Sequence, residues 1–118
     1  MILADTSLWV DHLRGGSAEL AAWLDGGEVL MHPFVLGELA MGNLRRREAL
    51  LRDLSRLPQV VVARPDEVLG LVARERLHGL GLGYEDAALL AAVRLTPGAR
   101  LRTRDRPLQE AADRLSAS

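Results

Sequence analysis

Apolar positions alternate along the chain between short continuous runs and longer stretches at helical spacing. Met1–Ala4 is a run too brief for a helix and suited to a buried strand. Asp5-Thr6-Ser7 ends it and can cap a helix, in which Leu8, Trp9, His12 and Leu13 recur at helical spacing until Gly15-Gly16. Ser17 can cap a second helix, with Leu20, Ala21, Trp23 and Leu24 on its apolar side and Asp25-Gly26-Gly27 closing it. Glu28–Met31 reads as the second strand. His32 precedes a proline and is biased towards extended backbone, while Pro33 suits the first turn of a helix striped by Val35, Leu36, Leu39 and Ala40. Gly42-Asn43 offers a C-cap, and Leu44 to about Leu57 predicts another amphipathic helix, carrying Arg45, Arg46, Arg47, Arg52 and Arg56.

Pro58 breaks that helix, and Gln59–Ala63 is the clearest strand pattern in the chain. Pro65-Asp66-Glu67 opens a helix to about Leu77, and Gly79, Gly81 and Gly83 mark a loop. Tyr84-Glu85-Asp86 leads into Ala87–Leu95, an Ala/Leu-rich helix that should pack deeply. Pro97-Gly98 turns into a strand at Arg100–Thr103, and Arg104-Asp105-Arg106-Pro107 starts a last helix reaching Leu115. The order β-α-α-β-α-α-β-α-α-β-α predicts a single α/β domain over residues 1–118, with a mostly parallel sheet covered on both faces.

Composition narrows the chemistry. An apolar share of 48% with only 3% aromatic residues requires a core of Leu, Val and Ala. The absence of cysteine excludes disulfides, zinc–thiolate sites and thiol catalysis. MILADTSLWVDHLR is not a basic leader followed by a long apolar stretch, and no apolar run approaches a membrane span, so a cytoplasmic protein is expected. All 15 cations are arginine. Base composition can account for that; so can phosphate recognition, for which the planar guanidinium is suited.

Four acids stand where the chain leaves its predicted strands or enters a helix: Asp5, Glu38, Asp86 and Asp105. Ligands of parallel α/β sheets bind at the carboxyl ends of the strands, and carboxylates converging there repel one another unless a cation is present. Magnesium and manganese take oxygen ligands and retain waters, so a few carboxylates can hold one or two ions for phosphodiester cleavage. Each acid also has a structural alternative: Asp5 and Asp86 as helix caps, Glu38 as a solvated helix position, Asp105 as a turn residue. Asp11, Glu85 and Asp66 read as surface or capping residues, and His12, His32 and His78 as structural ones.

The segments ILADTSLWVDHLR, HPFVLGELAMGNLRRR, GLGYEDAALLAAV and ARLRTRDRPL together resemble the PIN-domain ribonucleases, specifically the VapC toxins of bacterial toxin–antitoxin pairs. The resemblance spans essentially residues 1–115. It implies a three-layer α/β/α fold and a metal-dependent endoribonuclease using Mg²⁺ or Mn²⁺. Asp5, Glu38, Asp86 and Asp105 correspond to the family's acidic metal-binding quartet, with Thr6 and Thr103 at hydroxyl positions beside it. It also implies a VapB-like antitoxin whose extended C-terminal segment obstructs the acidic pocket, together with a homodimer and a larger toxin–antitoxin assembly. Related chains run on into a fifth strand, but RLSAS is polar here, which leaves a sheet of four strands or a frayed fifth.

An RNA substrate approaching an acidic pocket calls for cations at its rim. Arg104 and Arg106, which flank Asp105, and Arg14 are the candidates singled out, with Arg45–Arg47 and Arg102 as further ones. A different class of function, a PIN-like module that binds RNA or antitoxin without cutting, is disfavoured by four carboxylates at the centre of a phosphate-binding surface. Phospho-receiver domains and dehalogenase-like phosphatases are excluded, because both need a lysine near their aspartates and the chain has none.

Overall fold

The computed structural model describes residues 1–118. Its elements are β1 (Ile2–Ala4), α1 (Thr6–Gly15), α2 (Ala18–Asp25), β2 (Val29–Leu30), α3 (Pro33–Ala40), α4 (Arg47–Ser55), α5 (Pro65–Glu75), α6 (Tyr84–Leu95), β3 (Arg100–Arg102) and α7 (Arg106–Arg114).

Local capping explains most of the boundaries. Asp5, Ser17 and Asp105 each accept a hydrogen bond from the backbone N–H three residues on, starting α1, α2 and α7. Gly16, at φ +79°, ends α1 in a conformation that side chains resist. Pro33 and Pro65 occupy first-turn positions, where a missing N–H costs nothing. The helix predicted over Leu44–Leu57 is shorter, because Arg46 adopts left-handed backbone at φ +50° and helical geometry begins only at Arg47.

The strands form a parallel sheet in the order β2-β1-β3. Central β1 pairs Ile2 with Val29 and Arg100, and Leu3 with Leu30 and Leu101. Ile2, Leu3 and Ala4 are all buried although successive side chains point to opposite faces, so both faces of the sheet are covered. The architecture is thus α/β with a parallel sheet, but it has three strands where four or a frayed fifth were expected.

The missing fourth strand is Gln59–Ala63. Only a single bridge forms, Met31 to Gln59, with Met31 N donating to Pro58 O and Val60 N to Met31 O. The ladder then runs out of partners: His32 becomes the cap of α3, and Pro33 has no N–H to offer. Val61 N is instead taken by Thr96 Oγ1 at 2.8 Å, and Val61 and Val62 are exposed. At the C-terminus, Ser116 turns at φ +56° and buries Ala117, whose carbonyl accepts from Leu101 N at 2.6 Å. One bond beside β3 is all that remains of a fifth strand.

The core is Leu, Val and Ala around the buried Trp9. Ala87 to Val93 are buried without interruption, because α6 packs against both β3 and α5. A helix apolar on all sides must be central. Its N-terminal turn is therefore held rigidly at the end of the sheet that carries the acids.

Candidate active site

The three strands run parallel, so their carboxyl ends share one edge. Asp5 is the first residue after β1, Thr103 and Asp105 follow β3, and Glu38 lies within the helix that follows β2. The start of α6 adds Glu85 and Asp86. A cavity of about 120 Å³ lies among them, lined by Asp5, Thr6, Phe34, Val35, Glu38, Glu85, Asp86 and Leu89.

Asp5, Glu38 and Asp86, predicted from separate segments, therefore meet in one cavity. Asp105 stands at its margin, outside the lining but near enough for its charge to act on Asp86. Loss of water around Asp86, and then the neighbouring charges of Asp105 and Asp5, push its carboxyl above the usual range against the opposing pull of the Gly83 N–H.

The aspartates are organised by helix starts. Asp5 Oδ1 accepts from Leu8 N at 3.1 Å, Asp105 Oδ2 from Leu108 N at 3.1 Å, and Asp86 Oδ2 from Gly83 N at 2.9 Å. Capping is thus compatible with a place at or beside the cavity, not an alternative to it. Asp86 and Asp105 each commit one oxygen and keep the other without a side-chain or backbone partner. The positive ends of α1, α6 and α7 meanwhile offset some of the repulsion among the carboxylates.

Asp5 is the most tightly held. It is only 6% exposed. Ser7 Oγ donates to its Oδ1 at 2.7 Å, and Thr103 Oγ1 donates to its Oδ2 at 2.6 Å. The two hydroxyls lie 3.2 Å apart, and each accepts a backbone N–H from the turn after β3: Arg104 N to Ser7, Asp105 N to Thr103. Ser7 and Thr103 thereby pin the turn that carries Asp105 onto Asp5. Thr6 lines the cavity but makes no hydrogen bond through its hydroxyl; the bracing partner of Thr103 is Ser7, which sequence reasoning treats only as a possible cap. The signal available was its position two residues after Asp5, a spacing at which a short hydroxyl reaches the Asp side chain.

Glu85 was also missed. It lines the cavity instead of serving only the surface, and partial desolvation, then the charge and hydrogen bonding of Glu38, raise its carboxyl. No local pattern marks it, because its partner lies on α3. Asp11 and Asp66 are surface residues as expected, paired with Arg104 and Arg64.

Neither His12 nor His32 lines the cavity. His12 Nδ1 accepts from Ser17 N, and His32, whose pKa burial lowers from its usual value, accepts from Phe34 N. Of the cations, Arg104 is paired with Asp11 and Arg106 with Glu110. Arg14 and Arg45 carry no ion pair. They line a larger groove of about 520 Å³ with Val10, Leu13, Leu39 and Leu44, which shares Glu38 with the acid cavity.

The donor set suits a hard divalent cation: carboxylate oxygens, with no sulfur and no imidazole among them. No three of the acids close on one point tightly enough to coordinate an ion alone. A Mg²⁺ ion, which keeps several waters, needs only one or two carboxylates from a protein.

Comparison with known proteins agrees with this geometry. The PIN domain family matches residues 2–114. The proteins named Ribonuclease VapC32 from Mycobacterium tuberculosis strains CDC 1551 / Oshkosh and ATCC 25618 / H37Rv are each 50% identical over 111 residues, 94% of this chain and 90% of theirs. With its acids gathered at the carboxyl edge of a parallel sheet, this chain belongs to the PIN-domain family and, within it, to the VapC group.

Proposed function

We propose that this chain, as one PIN domain over residues 1–118, is the endoribonuclease toxin of a toxin–antitoxin pair. The observation that carries the reading is the meeting of Asp5, Glu38 and Asp86 in one cavity, with Asp105 at its margin. Half of the aligned residues are shared with proteins named ribonucleases, which supports RNA as the substrate.

Asp5 and Asp86 would be the principal ligands of Mg²⁺ or Mn²⁺, and Glu38 and Asp105 would hold a second ion or orient waters. The chemistry such ions would supply is activation of water and stabilisation of the leaving oxygen in phosphodiester hydrolysis. The chain's own residues do the preparation. Ser7 and Thr103 fix Asp5 in one rotamer, so that no reorganisation is needed when substrate arrives. The N-terminal ends of α1, α6 and α7 favour the incoming phosphate as they favour the carboxylates. Arg14 and Arg45 draw the RNA backbone along the neighbouring groove, and Arg104 and Arg106 add to the rim once their surface pairs exchange.

A VapB-like antitoxin segment that lies in the same groove silences the enzyme, in keeping with the groove's apolar floor and its opening onto Glu38. A homodimer and a larger toxin–antitoxin assembly in the cytoplasm complete the proposal. No helix is long and apolar enough to cross a membrane.

The test is cleavage of total cellular RNA by purified protein in Mg²⁺, Mn²⁺ or EDTA, beside Asp5→Asn and Asp86→Asn. Discrete metal-dependent fragments, lost in both variants, are expected. Stoichiometric retention of RNA without products in saturating metal would instead favour the non-cleaving module.

A further inference from the structure

The chain contains one phenylalanine and one tyrosine, and it spends neither on its core. Phe34 is 40% exposed and Tyr84 is 45% exposed, whereas Trp9 is buried. The two rings come from the first turns of α3 and α6, distant in sequence, yet their centroids lie 6.5 Å apart at an interplanar angle of 44°. Phe34 lines the acid cavity, and Tyr84 directly precedes Glu85 and Asp86, which line it too. Scattered exposed apolar side chains need no explanation. A pair of aromatic rings assembled from separate helices at the mouth of the cavity does.

We propose that Phe34 and Tyr84 form a stacking site for an unpaired nucleobase next to the phosphodiester bond being cut. The inference rests on the ribonuclease reading above, and its occupant is an unpaired base, since a base in a duplex must first be unpaired and unstacked before it can lie against a side-chain ring.

Three features fit this occupant. The rings sit near the outer limit of aromatic contact and are tilted, so a base laid against one meets the edge of the other without displacing a close pair. Phe34 is held in place: the buried His32 ring contacts it at 5.0 Å and 60°, and Phe34 N donates to His32 Nδ1 at 2.9 Å. A pre-positioned ring loses little freedom on binding. Finally, the carboxylates of the cavity beneath suit a ligand whose own oxygens share divalent cations with them, as those of a phosphodiester do. Stacking is tolerant of base identity, so the site selects for an unpaired base more than for a particular one.

The experiment measures binding of a short single-stranded RNA of randomised sequence, and of the same length made abasic, by fluorescence anisotropy in Mg²⁺. The Asp86→Asn background keeps RNA from being cut during the measurement. On that background Phe34→Leu and Tyr84→Leu are each expected to weaken intact RNA about 5- to 150-fold, to leave abasic RNA unchanged, and to be rescued by Phe34→Trp and Tyr84→Phe. Equal loss for both RNAs, or no loss for either, would overturn the stacking site. So would variants that bind RNA normally but no longer bind a cognate antitoxin, because the rings would then belong to a protein interface. The nuclease reading is checked separately by metal-dependent cleavage with the unsubstituted protein. If that protein cuts RNA while the leucine variants show unchanged affinity, the stacking inference alone fails.

Discussion

Thr103→Val is the sharpest test of how the site is held, because it removes a hydroxyl and keeps the shape. The lost bond to Asp5 Oδ2, 2.6 Å long, is made to a buried carboxylate. Hydrogen bonds to charged groups contribute about 1.5–3 kcal/mol. The Asp105 N–H loses its acceptor as well, but it lies at an exposed turn where water can replace the hydroxyl. The net loss is therefore about 2–3 kcal/mol. For a chain of this size that lowers Tm by roughly 8–12 °C, read by circular dichroism in EDTA. Mn²⁺ affinity, read by calorimetry, should fall about 10- to 100-fold, as it does when a residue orienting a metal ligand is removed. Thr103→Ser should restore most of both. Ser7→Ala should cost less, about 1 kcal/mol, because Leu8 N still serves Asp5 Oδ1. An unchanged Tm together with unchanged Mn²⁺ affinity in Thr103→Val would refute the claim that this hydroxyl holds Asp5.

Asp86→Asn should stabilise the metal-free protein by a few tenths to about 1 kcal/mol, discounted for water at the cavity mouth, because it removes a carboxylate that has lost hydration and is crowded by Asp105 and Asp5. The folded-state pKa of Asp86 is raised, so its carboxyl contributes most favourably below the unfolded pKa, and that contribution is lost as pH rises through the folded value. The advantage of Asp86→Asn in urea denaturation should accordingly be full near neutral pH and shrink as pH falls towards about 4; an advantage independent of pH would show another cause. Leu90→Ala, at a fully buried position of α6, should cost about 3–5 kcal/mol in the same assay, and a loss below about 1 kcal/mol would mean that α6 is not central. Val62→Ser should change stability by no more than about 0.5 kcal/mol, because Val62 is 47% exposed. A loss above about 2 kcal/mol would restore Gln59–Ala63 as a buried strand.

Where the signal was local, the elements could be read from the chain. Asp5, Ser17, Pro33, Pro65 and Asp105 mark helix starts through bonds or ring constraints within three residues, and the structure starts its helices at or beside those positions. Gln59–Ala63 misled because β-branched residues report fitness for a sheet without reporting the length of the partner. The adjacent strand is only Val29–Leu30, and the proline after His32 ends its ladder.

The identity of the acids and their placement after strands were properties of the sequence, since any parallel sheet brings its carboxyl ends to one edge. Tertiary structure alone decided which side chains meet there. Ser7 and Thr103 are 96 residues apart, and their contact depends on β1 pairing with β3 in register. Glu85 joins Glu38, and Tyr84 joins Phe34, only because the buried face of α6 sets the height of its first turn against α3. Local pattern encodes the direction a side chain takes from its own backbone. The distance between two backbones is set by packing across the whole core, and no short window of sequence contains it.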